Sequence, residues 1–273
     1  MRIFIKNEDK IIENRIYILN KENNHHILNV MRKKIGDKID IVDTINNNIY
    51  TAKIINNNPL ELDILLTTSL DKNSDNNINN VKLNITIYQA IAKKDRLEYL
   101  IEKGTELGIK KFKFVEFTRN VVKLNDDKKK EHKIIRWTKI AESASKQSKQ
   151  TFIPEISIVE NIIQDITESK NQAEQNNQKM YTLLLYENEQ DTILKKELSK
   201  IFLENTKQTT ININIIVGPE GGITEEEVLK FSNIGAKIIT LGNNIFRTET
   251  AGLVLATIIK YECGEFNYAK KEN

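Results

Sequence analysis

The chain has 273 residues, with 41 Lys+Arg against 38 Asp+Glu, so its formal charge is only +3. That length allows one large domain or two modest ones, either able to bury a real core. With 39% hydrophobic and 29% charged residues, no apolar run near the roughly 18 residues a membrane helix needs, and a single cysteine, Cys263, a membrane span, a disulfide framework and a multi-cysteine metal site are all excluded. The start, Met1 to Lys6, reads as free of a signal peptide, so the expected setting is the cytosol.

In chain order, the first stretch reads as β: Arg2–Lys6, Arg15–Leu19, Lys38–Asp43, Ile49–Ile55 and Leu60–Thr67, with turn signals at Gly36-Asp37 and Asn46 to Asn48. A short helix is expected around His25–Lys33. Several short, closely spaced strands suggest a small barrel or sandwich. Ser69–Asn80 is polar and aperiodic, which places a domain boundary there, with domains at 1–70 and 81–273. Lys170–Lys179 reads as a surface loop.

After Val81 strands and helices alternate. Strands are expected at Ile85–Ile91, Lys111–Phe117, Tyr181–Tyr186, Ile211–Val217 and Lys237–Leu241. Helices are expected at Asp95–Leu107, capped by Asp95 and Glu98 and stopped at Gly108, and at Glu131–Lys149. Two more follow, at Thr224–Ile234, with a Thr224/Glu227 capping box, and at Thr248–Tyr261. This alternation predicts an α/β domain with a mainly parallel sheet, whose ligands bind outside the carboxyl ends of the strands. Trp137 and Cys263 read as core, and His25 and His26 as packing or turn residues.

Seven of the ten glycines lie between Gly218 and Gly264. Gly218-Pro219-Glu220-Gly221-Gly222 follows a buried strand and precedes a capped helix. Gly242 to Ala251, carrying Arg247, Thr248 and Glu249, again joins a strand end to a helix, and Leu185 to Glu189 ends a third strand. Neither glycine segment is a Walker A loop or a dinucleotide fingerprint. One such loop alone would be structural, with Thr248 a helix cap and Arg247 a surface charge. Two at consecutive strand ends, both bearing charge beside glycine, favour a binding site.

These segments resemble the ribosomal RNA uridine N3-methyltransferase family (RsmE type) of the SPOUT superfamily. The resemblance rests on Gly218–Gly222, Leu241-Gly242 and Arg247-Thr248-Glu249-Thr250-Ala251. It extends to Lys103–Gly108, Gln147-Ser148-Lys149, Ile153-Pro154, and His25–Arg32 with Gly36-Asp37. It implies a PUA-like β-barrel before an α/β domain whose C-terminal part forms a trefoil knot, a homodimer, and S-adenosylmethionine as methyl donor. The donor would lie against Leu185, Gly218, Pro219, Glu220, Gly221, Gly222, Leu241, Gly242, Ile245, Phe246, Thr248 and Ala251. The implied substrate is a uridine of 16S ribosomal RNA, free or in the assembled small subunit, with neither metal nor membrane involved. Where the family has Glu, Arg and Leu, this chain has Lys146, Gln150 and Phe246.

Uridine N3 is a poor nucleophile until its N–H is removed, so a cation near the base would help. Arg247 is the candidate, acting on the base or on a neighbouring phosphate. Glu220 and Glu249 are candidates to orient Arg247 or to serve as base, with positioning ranked first. Residues 119–150 hold ten Lys+Arg against four acids, a local +6 that suits phosphate contact, although charge alone favours a solvated helix face. Arg119, Lys146 and Lys149 are the RNA-contact candidates there, and Arg32 and Lys33 in the first domain. The competing readings are ribose 2′-O-methylation on the same fold and a non-catalytic RNA-binding assembly factor.

Overall fold

A computed structural model of the chain describes residues 1–70, 82–124, 126–190, 192–205 and 210–266. The expected linker falls largely outside these residues. The chain divides into two compact units, one of Met1–Asp75 with Ser145–Phe152, the other of Asn76–Ala144 with Ile153–Asn273.

The first unit is a curled six-stranded sheet ordered β1-β4-β5-β6-β3-β2. Its strands are β1 (Arg2–Phe4), β2 (Lys10–Ile12), β3 (Arg15–Ile18), β4 (Lys38–Asp43), β5 (Asn48–Asn57) and β6 (Leu60–Ser69). Two register shifts on β5, at Thr51/Ala52 and Ile54/Asn56, interrupt the long β5–β6 ladder, and such bulges increase local twist. Inward residues Ile3, Ile16, Ile18, Ile39, Ile41, Ile54, Leu60 and Leu62 form one core. The expected helix begins earlier than His25. Asn20 accepts from Asn23 N and starts α1 (Lys21–His25), which continues as a π-helical turn over His26–Val30. Asp9 is the local hub, accepting from the backbone of Lys6, Leu19 and Asn20.

The second unit is a wholly parallel sheet ordered β12-β10-β11-β7-β8-β9. In chain order it runs β7 (Lys82–Ala90), α2 (Lys94–Glu106), β8 (Lys111–Val115), α3 (Asp127–Gln147, whose last residues belong to the first unit), β9 (Glu155–Val159), α4 (Ile162–Gln175) and β10 (Lys179–Leu185). Then follow α5 (Leu194–Leu203), β11 (Thr210–Val217), α6 (Glu225–Asn233), β12 (Lys237–Ile239) and α7 (Thr248–Cys263). Both faces are covered. Ile87, Phe112, Phe114, Ile213, Ile215, Leu183, Trp137 and Ile259 pack on one side, and Tyr88, Val115, Leu184, Ile216 and Phe231 on the other.

Several expectations need correction. Asp95 does not cap α2: the N-cap is Lys93, with no side-chain capping bond. Gly108 does end that helix, at φ +82°. Of the supposed loop 170–179, residues 170–175 are the end of α4 and Lys179 opens β10, leaving only 176–178 as a turn. Thr248 is not a cap either, since Arg247 occupies the N-cap position and Thr248 opens the helix. The apolar face of α7 is largely absorbed by its own unit, with Leu253, Leu255, Ala256 and Ile259 all buried.

The Thr224/Glu227 capping box is present, and it does more than cap α6. The Glu227 carboxylate accepts from Thr224 N and Oγ1, both at 2.9 Å, and from Thr118 N at 2.8 Å and Thr118 Oγ1 at 3.0 Å. The loop after β8 is thereby tied to the loop after β11. Burial disfavours the charged form of Glu227, but these hydrogen bonds outweigh it and hold its pKa below the usual value. A lowered folded pKa gives stability that is complete above the unfolded pKa and is lost as pH falls through the folded one. Glu227→Gln is therefore expected to cost about 1 kcal/mol at neutral pH, the gap to wild type closing in acid. Urea unfolding followed by Trp137 fluorescence measures this, because the single tryptophan lies buried in this unit. A gap independent of pH would contradict it.

Candidate active site

The site follows from strand register. Leu185 at the end of β10 is level with Val217 of β11 and with Ile239 of β12. Three adjacent parallel strands thus stop together, and the loops carrying Leu185–Glu189, Gly218–Gly222 and Leu241–Arg247 leave from one edge. β7, on the other side of β11, pairs Gln89 with Val217 and delivers Ile91–Lys93 to the same edge.

Thr248 joins two of these loops. Its hydroxyl donates to the Gly218 carbonyl at 2.8 Å and accepts from Gln89 Nε2 at 2.6 Å. Gln89 is fully buried and Thr248 8% exposed, so both bonds are made away from water. Below them, the bare α-carbon of Gly252 lets α7 approach β11 and β7: an added Cβ would lie 3.2 Å from Val217.

The Gly218–Gly222 loop is held from both sides. Arg119 Nη1 donates to the Gly221 carbonyl at 3.2 Å. Gly222 has φ +75°, a left-handed conformation that favours glycine, and Glu187 Oε1 would lie 2.7 Å from an added Cβ. A shallow cleft beside the loop is lined by Ile91, Ala92, Lys93, Val121, Val122, Pro219 and Glu220.

The nominated residues divide accordingly. Leu185, Gly218 to Gly222, Leu241, Gly242, Phe246, Thr248, Glu249 and Ala251 lie on the converging loops and the start of α7. Ile245 is 96% exposed on the last of these loops. Arg247 is exposed, and its carbonyl accepts from Thr250 N and Ala251 N. The expected pairing of Arg247 with Glu220 or Glu249 is replaced by another: the guanidinium paired with both carboxylates is that of Arg96, in the first turn of α2. Arg96 and Gln89 were missed because nothing in the local pattern marks them; only the strand order brings them to this edge.

The other basic candidates are divided between the two units. Arg119 braces the glycine loop rather than standing clear. In the first unit, Lys146 reaches Asn23 Oδ1 at 3.4 Å, the Lys149 carbonyl accepts from Arg2, Lys33 is half-buried and Arg32 is exposed with φ +51°. The +6 of residues 119–150 is also partly neutralised: Arg136 pairs with Glu98 at 2.8 Å, and Lys130 with Asp127 and Glu160, both at 3.1 Å. Among the described residues no group of three or more His, Cys, Asp or Glu gathers as a metal site, and no helix is long and apolar enough to cross a membrane.

Comparison with known proteins agrees with this geometry. Residues 79–260 match the family model of an RNA methyltransferase domain, and residues 19–65 that of an RNA methyltransferase PUA domain. The fold is therefore that of an RNA methyltransferase with a PUA domain. The chain is 33% identical to ribosomal RNA small subunit methyltransferase E of Bacillus subtilis over 268 residues, covering 96% of each. It is 30% identical to the protein of that name from Buchnera aphidicola (subsp. Acyrthosiphon pisum) over 270 residues, covering 97% of this chain and 94% of the relative. A crystal structure described as that of a hypothetical protein superposes with TM-score 0.73 at 28% identity, covering 96% of this chain and 98% of that one. The Neisseria gonorrhoeae ribosomal RNA small subunit methyltransferase E, bound to S-adenosyl methionine, shares the fold with TM-score 0.73 at 24% identity, covering 97% and 98%. The chain belongs to the ribosomal RNA small subunit methyltransferase E family.

The Thr248 hydroxyl is the inter-loop tie. Thr248→Val keeps the shape but leaves the Gly218 carbonyl without this donor and Gln89 Nε2 without its short acceptor. A loss of about 1–3 kcal/mol is expected in urea unfolding read from Trp137 fluorescence. A variant as stable as wild type would show that the tie is dispensable.

Proposed function

We propose that this protein methylates N3 of a uridine in 16S ribosomal RNA, using S-adenosylmethionine, in the cytoplasm and as a homodimer. The observation that carries this reading is the convergence of the three level strand ends, with Thr248 tying the start of α7 to the ends of β11 and β7, in a chain whose family acts on small-subunit ribosomal RNA. The bound methyl donor of the Neisseria relative supports the choice of cofactor.

The residues present fit such a ligand. Leu185, Leu241, Phe246 and Ala251 offer partly buried apolar surface, and the glycine loops bring backbone groups close. Gln89 Oε1 is a buried acceptor without a hydrogen-bond partner. A site short of donors suits ligands rich in N–H. S-adenosylmethionine supplies a methyl group already activated on a sulfonium. The protein's part is to hold the reacting groups in line and keep water out. Leu185, Gly218 to Gly222, Leu241, Gly242, Ile245, Phe246, Thr248 and Ala251 form the cofactor cradle, and the threaded path of the last segment belongs to the same reading.

Arg247 stands exposed at the start of α7, free to stabilise charge on the base or to grip a phosphate. Glu220 and Glu249 position rather than react. The domain of residues 1–70 binds RNA and that of 81–273 carries the chemistry. Arg32, Lys33, Arg119, Lys146 and Lys149 are the phosphate contacts, with Arg119 also bracing the glycine loop.

Mass mapping of ribosomal RNA from a deletion strain, before and after addition of purified protein, tests this. One N3-methyluridine is expected to be missing and then restored. Arg247→Ala is expected to lower turnover by about 10²-fold with RNA affinity retained. Restoration of a ribose methyl, or unchanged turnover in the variant, would overturn the assignment.

A further inference from the structure

Arg96 ties together elements far apart in sequence. It leaves the first turn of α2, just past the carboxyl end of β7, and its side chain is 32% exposed. One Nη pairs with Glu220 on the glycine loop, and Nε lies 3.9 Å from Glu249 Oε1 on α7. A planar guanidinium can meet two carboxylates in two directions at once, whereas an ammonium is a point charge.

Glu249 is the buried member, its side chain 9% exposed against 41% for Glu220. Its Oε2 has no hydrogen-bond partner. A buried carboxylate oxygen left unpaired is costly, and its retention where two loops meet marks a place completed by a ligand. The ligand group must be a donor. Through Arg96 it is linked to Glu220, which rims a cleft of Ile91, Ala92, Val121, Val122 and Pro219.

We propose that Arg96 is a positioning residue that aims Glu249 Oε2 at the ring N–H of the acceptor base, making Glu249 the group that selects uridine over cytidine. The uracil ring of a uridine has one N–H, at N3. Cytosine presents a lone pair there, which would face the carboxylate oxygen and leave both acceptors unpaired. The inference rests on the uridine N3 reading above and adds the means of selection.

The test uses the whole protein and a fluorescent RNA fragment around the mapped nucleotide, carrying either uridine or cytidine there. Wild type is expected to prefer uridine by about tenfold or more in anisotropy titrations, because a site built around a hydrogen bond rejects the partner lacking it. R96M and E249Q should each lose most of that preference. The double variant should lose no more than either alone, because the residues act as a unit. R96K should fall between, and calorimetric affinity for S-adenosylmethionine should stay within about threefold throughout. The R96M kcat should drop by about 10²-fold, the effect of an ångström-scale misplacement. Retained uridine preference in R96M, or multiplicative losses in the double variant, would overturn the proposal. If R96M does not fold, R96K against E249Q decides on the same criteria. A wild type that leaves the mapped uridine unmethylated defeats the function reading instead, so the two failures are distinguishable.

Discussion

The site depends on a buried hydroxyl between two strand-end loops. Parallel β10, β11 and β12 stop at one level, which by itself brings three loops to a common edge. Level ends do not fix loop conformation. Thr248 does this by taking the Gly218 carbonyl at 2.8 Å while receiving Gln89 at 2.6 Å. The first residue of α7, the end of β11 and the end of β7 are thereby locked to one another without solvent. Carried by a short side chain, this tie leaves little slack.

Electrostatics add a second layer around that tie. Glu227 clamps the loop after β8 to the start of α6, and Arg119 holds the Gly221 carbonyl. Arg96 then draws the Glu220 and Glu249 carboxylates toward each other. The glycine loop is thus gripped on three sides by residues from elements that the sheet order, not the sequence order, makes neighbours. Arg247, by contrast, is left exposed beside this braced framework.

Much of this was legible in sequence where a local rule has a local cause. The Thr224/Glu227 capping box, the stop at Gly108, the burial of Trp137 and Cys263 and the parallel alternation all follow from short-range pattern, and the structure has them. β9, α4 and α5 went unread: β9 is only five residues long, and the helices carry few core positions, α4 burying only Ile166 and Ala173 and α5 only Leu198 and Ile201. Asp95 failed as a cap for a different reason, since the helix already begins at Lys94, two residues too early for it. At the site, the glycine segments and their charges were visible, but Arg96 and Gln89 were not. Each acts through a contact with a distant segment, and a wrong partner, Arg247, stood closer in sequence to Glu249.

Hydrogen exchange with and without S-adenosylmethionine addresses the central claim most directly. If the strand-end loops form one cradle, backbone amides of residues 218–222 and of 241–251 should slow together at one ligand concentration. Protection confined to one segment, with the other exchanging as in the free protein, would contradict a shared pocket.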